Sequence, residues 1–235
     1  MTAANPVFVS IDTTAVDTAR TLVQGLAGLV GGVKLGLEFF VAQGPAGVRA
    51  VLGGDSQVPF FLDLKLHDIP NTVAGGVRAA LPLAPAFMTI HTSGGPAMMR
   101  AAAEAAAAGG ATRPRILGVT VLTSLDDGDL GAVGQSTPVA GQVERLARLA
   151  RDCGLDGVVC SPNEVAALRA ACGPDFILMV PGIRPAWAAA NDQKRIMTPS
   201  QAMAAGASHL VIGRPITADP APADAARRIN AELGL

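Results

Sequence analysis

Three ionisable side chains interrupt an otherwise apolar run, FFLDLKLHDIPNT at residues 60–72: Asp63, Lys65 and Asp68. An ammonium bracketed by two carboxylates keeps its proton, because neighbouring anions favour the cationic form. Such a group is suited to neutralising a developing negative charge and then delivering a proton to it. If the run is extended, Asp63 and Lys65 project to one face, since side chains two apart on a strand share a side. Ile69-Pro70 then breaks the pattern, because proline cannot donate to a ladder. The plain alternative is a salt-bridged strand end, and many ion pairs are no more than that.

Lysine usage favours the chemical reading. Of 18 basic residues, 15 are arginine, and only Lys34, Lys65 and Lys194 are lysine. Arginine does not give up its proton at workable pH, whereas lysine acts as an acid or base. Lysine is retained where arginine cannot replace it.

Short apolar runs recur along the chain at residues 7–11, 32–37, 58–64, 86–90, 115–121, 157–160, 176–180 and 209–212. Ala-rich segments with helical spacing lie between most of them; Val143, Leu146, Ala147 and Ala150 follow i, i+3, i+4, i+7. Ser161-Pro162-Asn163-Glu164 and Thr198-Pro199-Ser200-Gln201 each give a capping residue, a first-turn proline and a Glu or Gln three on. Eight strands alternating with helices predict an α/β chain folded as a single (β/α)8 TIM barrel, one domain over residues 1–235. A doubly wound open sheet is the alternative.

A barrel puts its chemistry at the C-terminal ends of the strands. Those ends read Asp12, Lys34, Asp63 with Lys65, His91, the stretch 120–124, Ser161, the stretch 181–184, and Gly213-Arg214. Polar and ionisable residues therefore gather on one rim. Residues 182–197 are too long for an ordinary βα connection and read as a lid or binding loop, with Arg184, Gln193, Lys194 and Arg195 in it. The connections after the seventh and eighth strands are the usual phosphate site of such barrels, so a phosphate ester is the expected ligand there. The acidic, glycine-rich stretch 125–138 is a second candidate closing loop.

Half of the residues are hydrophobic and 16% are charged, which provides for a sizeable core. A net charge of −1 argues against a nucleic-acid or anionic-membrane partner. Cys153, Cys160 and Cys172 lack CxxC spacing and sit in apolar surroundings, as reduced core residues do. No signal peptide and no bilayer-spanning run is evident, so the expected setting is the cytoplasm.

Taken together, these blocks resemble the orotidine 5′-phosphate decarboxylase family. The resemblance rests on DLKLHDIPNT (63–72), VKLG around Lys34, VTVLTS (119–124), PGIR (181–184), DQKR (192–195) and IGRPIT (212–217), in order over nearly the whole chain. It implies decarboxylation of orotidine 5′-phosphate to UMP, with no metal and no organic cofactor. Lys65 is implied as the proton donor in a charged array completed by Lys34, Asp63 and Asp68. Asp12 and Thr72 are implied at the ribose, and Thr123 and Ser124 near the pyrimidine. Pro181, Arg184, Gln193, Gly213 and Arg214 complete the nucleotide site, the last four apart from Pro181 holding the phosphate end. The resemblance also implies a homodimer with shared active sites, in which Asp68 and Thr72 reach into the neighbour.

Two rival readings stand beside this one. A Mg-dependent sugar-phosphate decarboxylase or aldolase on the same scaffold carries an Asp-x-Lys-x-x-Asp signature but lacks the Pro-Asn-Thr continuation. A non-catalytic phosphometabolite-binding module would keep Arg214 and Gln193 but has no need of Lys65. His91 is as readily a structural histidine as a ligand contact, and His67 is given no role.

Overall fold

Eight parallel strands pair in chain order and the last closes on the first. They are β1 (Val7–Ile11), β2 (Gly32–Gly36), β3 (Phe60–Leu66), β4 (Phe87–His91), β5 (Arg115–Val119), β6 (Gly157–Val159), β7 (Ile177–Val180) and β8 (His209–Ile212). The computed structural model describes residues 5–53, 58–188 and 197–235. Among the described residues ten α-helices accompany the strands: α1 (Val16–Leu26), α2 (Leu37–Leu52), α3 (Pro70–Ala80), α4 (Gly95–Ala107), α5 (Asp127–Ala132), α6 (Val139–Asp152), α7 (Val165–Cys172), α8 (Pro199–Ala204), α9 (Arg214–Thr217) and α10 (Pro222–Leu233).

The strands are apolar on both faces because each face meets a different core. Outward residues such as Val9, Val33, Leu62 and Ile90 join one large cluster with the helices, to which Val143, Leu146, Ala147 and Ala150 of α6 belong. Met98 and Met99 of α4 are fully buried in the same cluster, as packing residues. Inward residues form a separate plug of Phe8, Phe61, Phe87, Leu117, Met179 and Val211. Gly32 makes room for this plug: a Cβ there would stand 2.3 Å from the Phe8 ring.

The inward positions change character along each strand, and this positions the site. With side chains alternating in period 2, β1 presents Phe8 and then Ser10 inward. On the same rule β3 presents Phe61 then Asp63, and β4 presents Phe87, Thr89 and His91. Apolar rings close the N-terminal end of the barrel, and polar groups open at the C-terminal end.

The expected helix start at Thr198 is built as the sequence suggests: Thr198 Oγ1 accepts from the Gln201 N–H while Gln201 Oε1 accepts from the Thr198 N–H. At Ser161 the Glu164 carboxylate accepts from the Ser161 N–H, and the turn that opens there, Pro162–Glu164, is a 3-10 turn leading into α7. The stretch 125–138 differs from the expected loop. It folds into α5, whose first turn is capped by Asp126 accepting from the Gly128 and Asp129 N–H groups. Of the expected lid, residues 189–196, including Gln193, Lys194 and Arg195, lie outside the described residues. Trp187 precedes them, with the Arg228 guanidinium 4.0 Å from its ring centroid.

Candidate active site

Four charged side chains from three neighbouring strand ends stand in alternating sign at the barrel mouth. Lys34 Nζ lies 3.8 Å from Asp12 and 3.4 Å from Asp63, and Lys65 Nζ lies 2.8 Å from Asp63. Strand register brings them together: Ser10 pairs with Lys34 across β1 and β2, and Gly36 with Asp63 across β2 and β3. Asp12 follows directly on β1.

Asp63 is buried. Burial alone would push its carboxyl up. The charges of Lys34 and Lys65, together with hydrogen bonds from Lys65 and Thr89, outweigh that and hold it below the ordinary carboxylate value. Asp63 is therefore an anion at neutral pH, and it keeps two ammonium groups at its oxygens.

Lys65 reaches this position by an irregular backbone. The β3–β4 pairing runs Leu62 with Met88 and then Leu66 with Ile90, so four steps on β3 oppose two on β4. Within this bulge Lys65 has φ 50°, a left-handed conformation that is costly for a residue with a Cβ, roughly 1–3 kcal/mol. The simple alternation expected from the Asp-x-Lys spacing is thus replaced by a bulge. Both side chains nevertheless face the same cavity.

That cavity, of about 280 Å³, is lined among others by Asp12, Lys34, Asp63, Lys65, Thr123, Pro181, Arg184, Gly213 and Arg214. Nine residues singled out in the sequence thus meet in one place, cationic at the β7–β8 side and alternating in charge at the β1–β3 side. Arg184 is buried, its backbone N–H donating to the Met197 carbonyl and Nη1 to the Ile183 carbonyl. Arg214 opens α9 directly after β8.

Three expected residues are not among those lining it. Asp68 is exposed on the connection to α3, its carboxylate accepting from the Ile69 N–H at 2.6 Å. Thr72 is exposed in the first turn of α3, and Ser124 is exposed beyond β5. Within one chain the array is completed by Asp12 rather than by Asp68. Gln193 lies outside the described residues.

His91 ends β4 with its ring centroid 5.4 Å from that of His67. Burial, then the charges of His67 and Lys65, hold it below the ordinary histidine value against the opposing charge of Asp63. Among the described residues, no group of three or more His, Cys, Asp or Glu is placed to hold a metal ion. No helix among them is long and apolar enough to cross a membrane.

Two polar residues that hydrogen-bond the carboxylates of the array were not singled out in the sequence. Ser10 is buried, and its hydroxyl reaches both Asp12 oxygens at 2.9 Å. Thr89 donates to Asp63 Oδ1 at 2.8 Å and accepts from the Lys65 N–H at 2.9 Å. Each is a polar residue at an inward strand position next to an ionisable one, a signal that period-2 reading of β1 and β4 carries.

Comparison with known proteins agrees with this geometry. The model of the Orotidine 5′-phosphate decarboxylase / HUMPS family matches residues 5–229. The orotidine 5′-phosphate decarboxylase of Paramagnetospirillum magneticum is 58% identical over 235 residues, covering 98% of this chain and 99% of its own. That of Rhodospirillum rubrum is 58% identical over 233 residues, covering 97% of this chain and 94% of its own. Among solved structures, the orotidine 5′-phosphate decarboxylase of Lactobacillus acidophilus superposes with a TM-score of 0.86 at 36% identity, covering 98% of this chain and 100% of that one. The chain belongs to the orotidine 5′-phosphate decarboxylase / HUMPS family.

Proposed function

We propose that this protein decarboxylates orotidine 5′-phosphate to UMP, with Lys65 as the proton donor. The observation that carries the reading is the alternating array Asp12–Lys34–Asp63–Lys65 at the mouth of a cavity whose far side holds Arg184 and Arg214. Full-length relatives named for this activity supply the substrate.

In this reading the bond between C6 and the carboxylate breaks, CO₂ leaves, and the electron pair stays on C6. The Lys65 ammonium stabilises that charge and gives C6 a proton; solvent then restores the ammonium. Asp63, kept anionic by its two lysines, faces the departing carboxylate and disfavours it in the ground state. Asp12 and Lys34 hold the ribose side, with Thr123 near the pyrimidine and Pro181 lining the site; Ser124, outside the cavity in the single chain, would have to turn inward to reach the pyrimidine. Arg184, Gln193, Gly213 and Arg214 hold the phosphate, whose remote binding energy assembles the site around C6. The strands from β1 to β8 all serve this site, so the chain acts as one domain.

We also infer a homodimer in which Asp68 and Thr72 serve the partner's site; their exposure outside the cavity supports this. The three buried, unpaired cysteines suit a reducing, cytoplasmic setting. The near-neutral net charge favours a small-molecule substrate over nucleic acid or a membrane. The chemistry assigned to the array needs no metal or organic cofactor. The test is the absorbance change of orotidine 5′-phosphate on adding purified protein in EDTA. Turnover is expected; turnover that requires added Mg²⁺ would favour the sugar-phosphate branch of the scaffold.

A further inference from the structure

We propose that Thr89 is a positioning residue whose hydroxyl ties the backbone of Lys65 to the carboxylate of Asp63, an assignment that rests on the decarboxylase reading above. Thr89 lies inward at the middle of β4 and is fully buried. Its Oγ1 accepts the Lys65 N–H at 2.9 Å and donates its own proton to Asp63 Oδ1 at 2.8 Å. A hydroxyl has one proton, and an ionised carboxylate only accepts, so the direction of both bonds is determined. With Oδ1 taken, Asp63 turns Oδ2 toward Lys65 Nζ at 2.8 Å and Lys34 Nζ at 3.4 Å.

The place of this hydroxyl matters as much as its bonds. It stands at the bulge, where β3 and β4 lose their regular register and Lys65 holds φ 50°. A strained backbone persists only where its surroundings over-determine it. Here a side chain of the neighbouring strand captures the N–H of the strained residue itself. One atom thus couples the path of the proton donor's backbone to the orientation of the carboxylate beside its ammonium. Valine has the shape of threonine without this coupling, and serine has the coupling without the methyl group.

The experiment compares the full-length protein with Thr89→Val and Thr89→Ser. For Thr89→Val, kcat should fall on the order of 10²-fold, the scale of a displaced catalytic group, with KM for orotidine 5′-phosphate and the affinity for UMP little changed. Its acid limb in kcat should move to higher pH, because Asp63 has lost a donor that favours its charged form. The charged groups facing Asp63 are Lys34 from β2 and Lys65 on its own strand, with His91 at the end of β4 and Asp12 beyond β1, and all are retained. Amide exchange at Lys65 should quicken in Thr89→Val while amides elsewhere in β3 and β4 keep their protection. Thr89→Ser should behave as the parent in each measurement.

If Thr89→Val is not folded, Thr89→Cys takes its place, with similar volume and a poor donor and acceptor. The inference falls if the hydroxyl-free variant keeps the parent kcat and Lys65 exchange, or if Thr89→Ser loses as much as Thr89→Val. An inactive parent protein would overturn the decarboxylase reading instead, and the Lys65 amide would still decide whether Thr89 holds that backbone.

Discussion

Lys65 and Asp63 meet at 2.8 Å, and the carboxylate is the more deeply enclosed partner, its side chain 10% exposed against 29% for the lysine. The anion is held by Thr89 and Lys34 as well, so its place does not depend on the Lys65 ammonium alone. This asymmetry suits a donor that must move and a carboxylate that must not.

Lys65→Ala should therefore abolish decarboxylation, by about 10⁴-fold or more, since charge stabilisation and proton delivery are lost together. The protein should remain folded and still bind UMP, because Arg184 and Arg214 lie across the cavity. Lys65→Arg should fail as well, for a guanidinium keeps the charge without releasing the proton. Substantial turnover by either variant removes Lys65 from its role.

Arg214→Ala should act mainly on nucleotide binding. Losing one charge-assisted contact to a dianion costs about 2–3 kcal/mol, on the order of 10²-fold in affinity. Orotidine without its phosphate is the control. An equal penalty on both substrates would show that Arg214 does not contact the phosphate.

The eight strands were legible because a strand buried on both faces writes a continuous apolar run, and each expected span overlaps the observed one. The largest shift is at β3, expected at 58–64 and found at Phe60–Leu66, because the bulge carries the strand past its charged residues. The rim was legible for a related reason: in a barrel, the ends of separate strands converge whatever their distance in sequence. What the sequence did not disclose is side-chain partnership. Thr89 in FMTIH reads as an ordinary β-branched strand residue, and only its register against β3 turns it into the partner of Asp63. Asp68 is the converse case. Its spacing from Lys65 suggested a bracketing pair, but the turn into α3 carries it out of the cavity.

His209 makes stability depend on pH at the opposite end of the barrel. Burial among Phe8 and Phe87, and then the charge of Arg115, lower its pKa to about 4 against the opposing hydrogen bond to the Pro6 backbone. The unfolded chain takes up this proton near pH 6.5, whereas the folded one resists until about pH 4. The contribution of neutral His209 is thus fully present above pH 6.5 and lost as pH falls toward 4, by on the order of 2–3 kcal/mol. His91 adds in the same sense. His209→Phe keeps the ring packing and removes the titrating imidazole. Urea midpoints at pH 7.5 and pH 5 should differ less in this variant than in the parent; an unchanged difference would assign the pH dependence elsewhere.

The exposure of Asp68 leads to the prediction that involves two chains. If Asp68 acts on the partner's substrate while Lys65 acts on its own, two inactive homodimers should restore each other. Lys65→Ala and Asp68→Ala proteins are unfolded, mixed in equal amounts and refolded together. Random pairing in a two-fold dimer makes about half of the dimers mixed. In each mixed dimer one site lacks both groups, and the other regains Lys65 from its own chain and Asp68 from its neighbour. Roughly a quarter of all sites should then recover activity. If Asp68 serves its own chain, every site in the mixture lacks one group or the other and activity stays at background. The single-chain geometry favours recovery, because Asp68 is exposed, is not among the residues lining the cavity, and lies beside an Ile69 that is itself 67% exposed. An exposed apolar side chain next to the carboxylate proposed to act in the partner suits a surface that a second copy covers. Confirmed mixed dimers with no recovery would return Asp68 to its own chain's site.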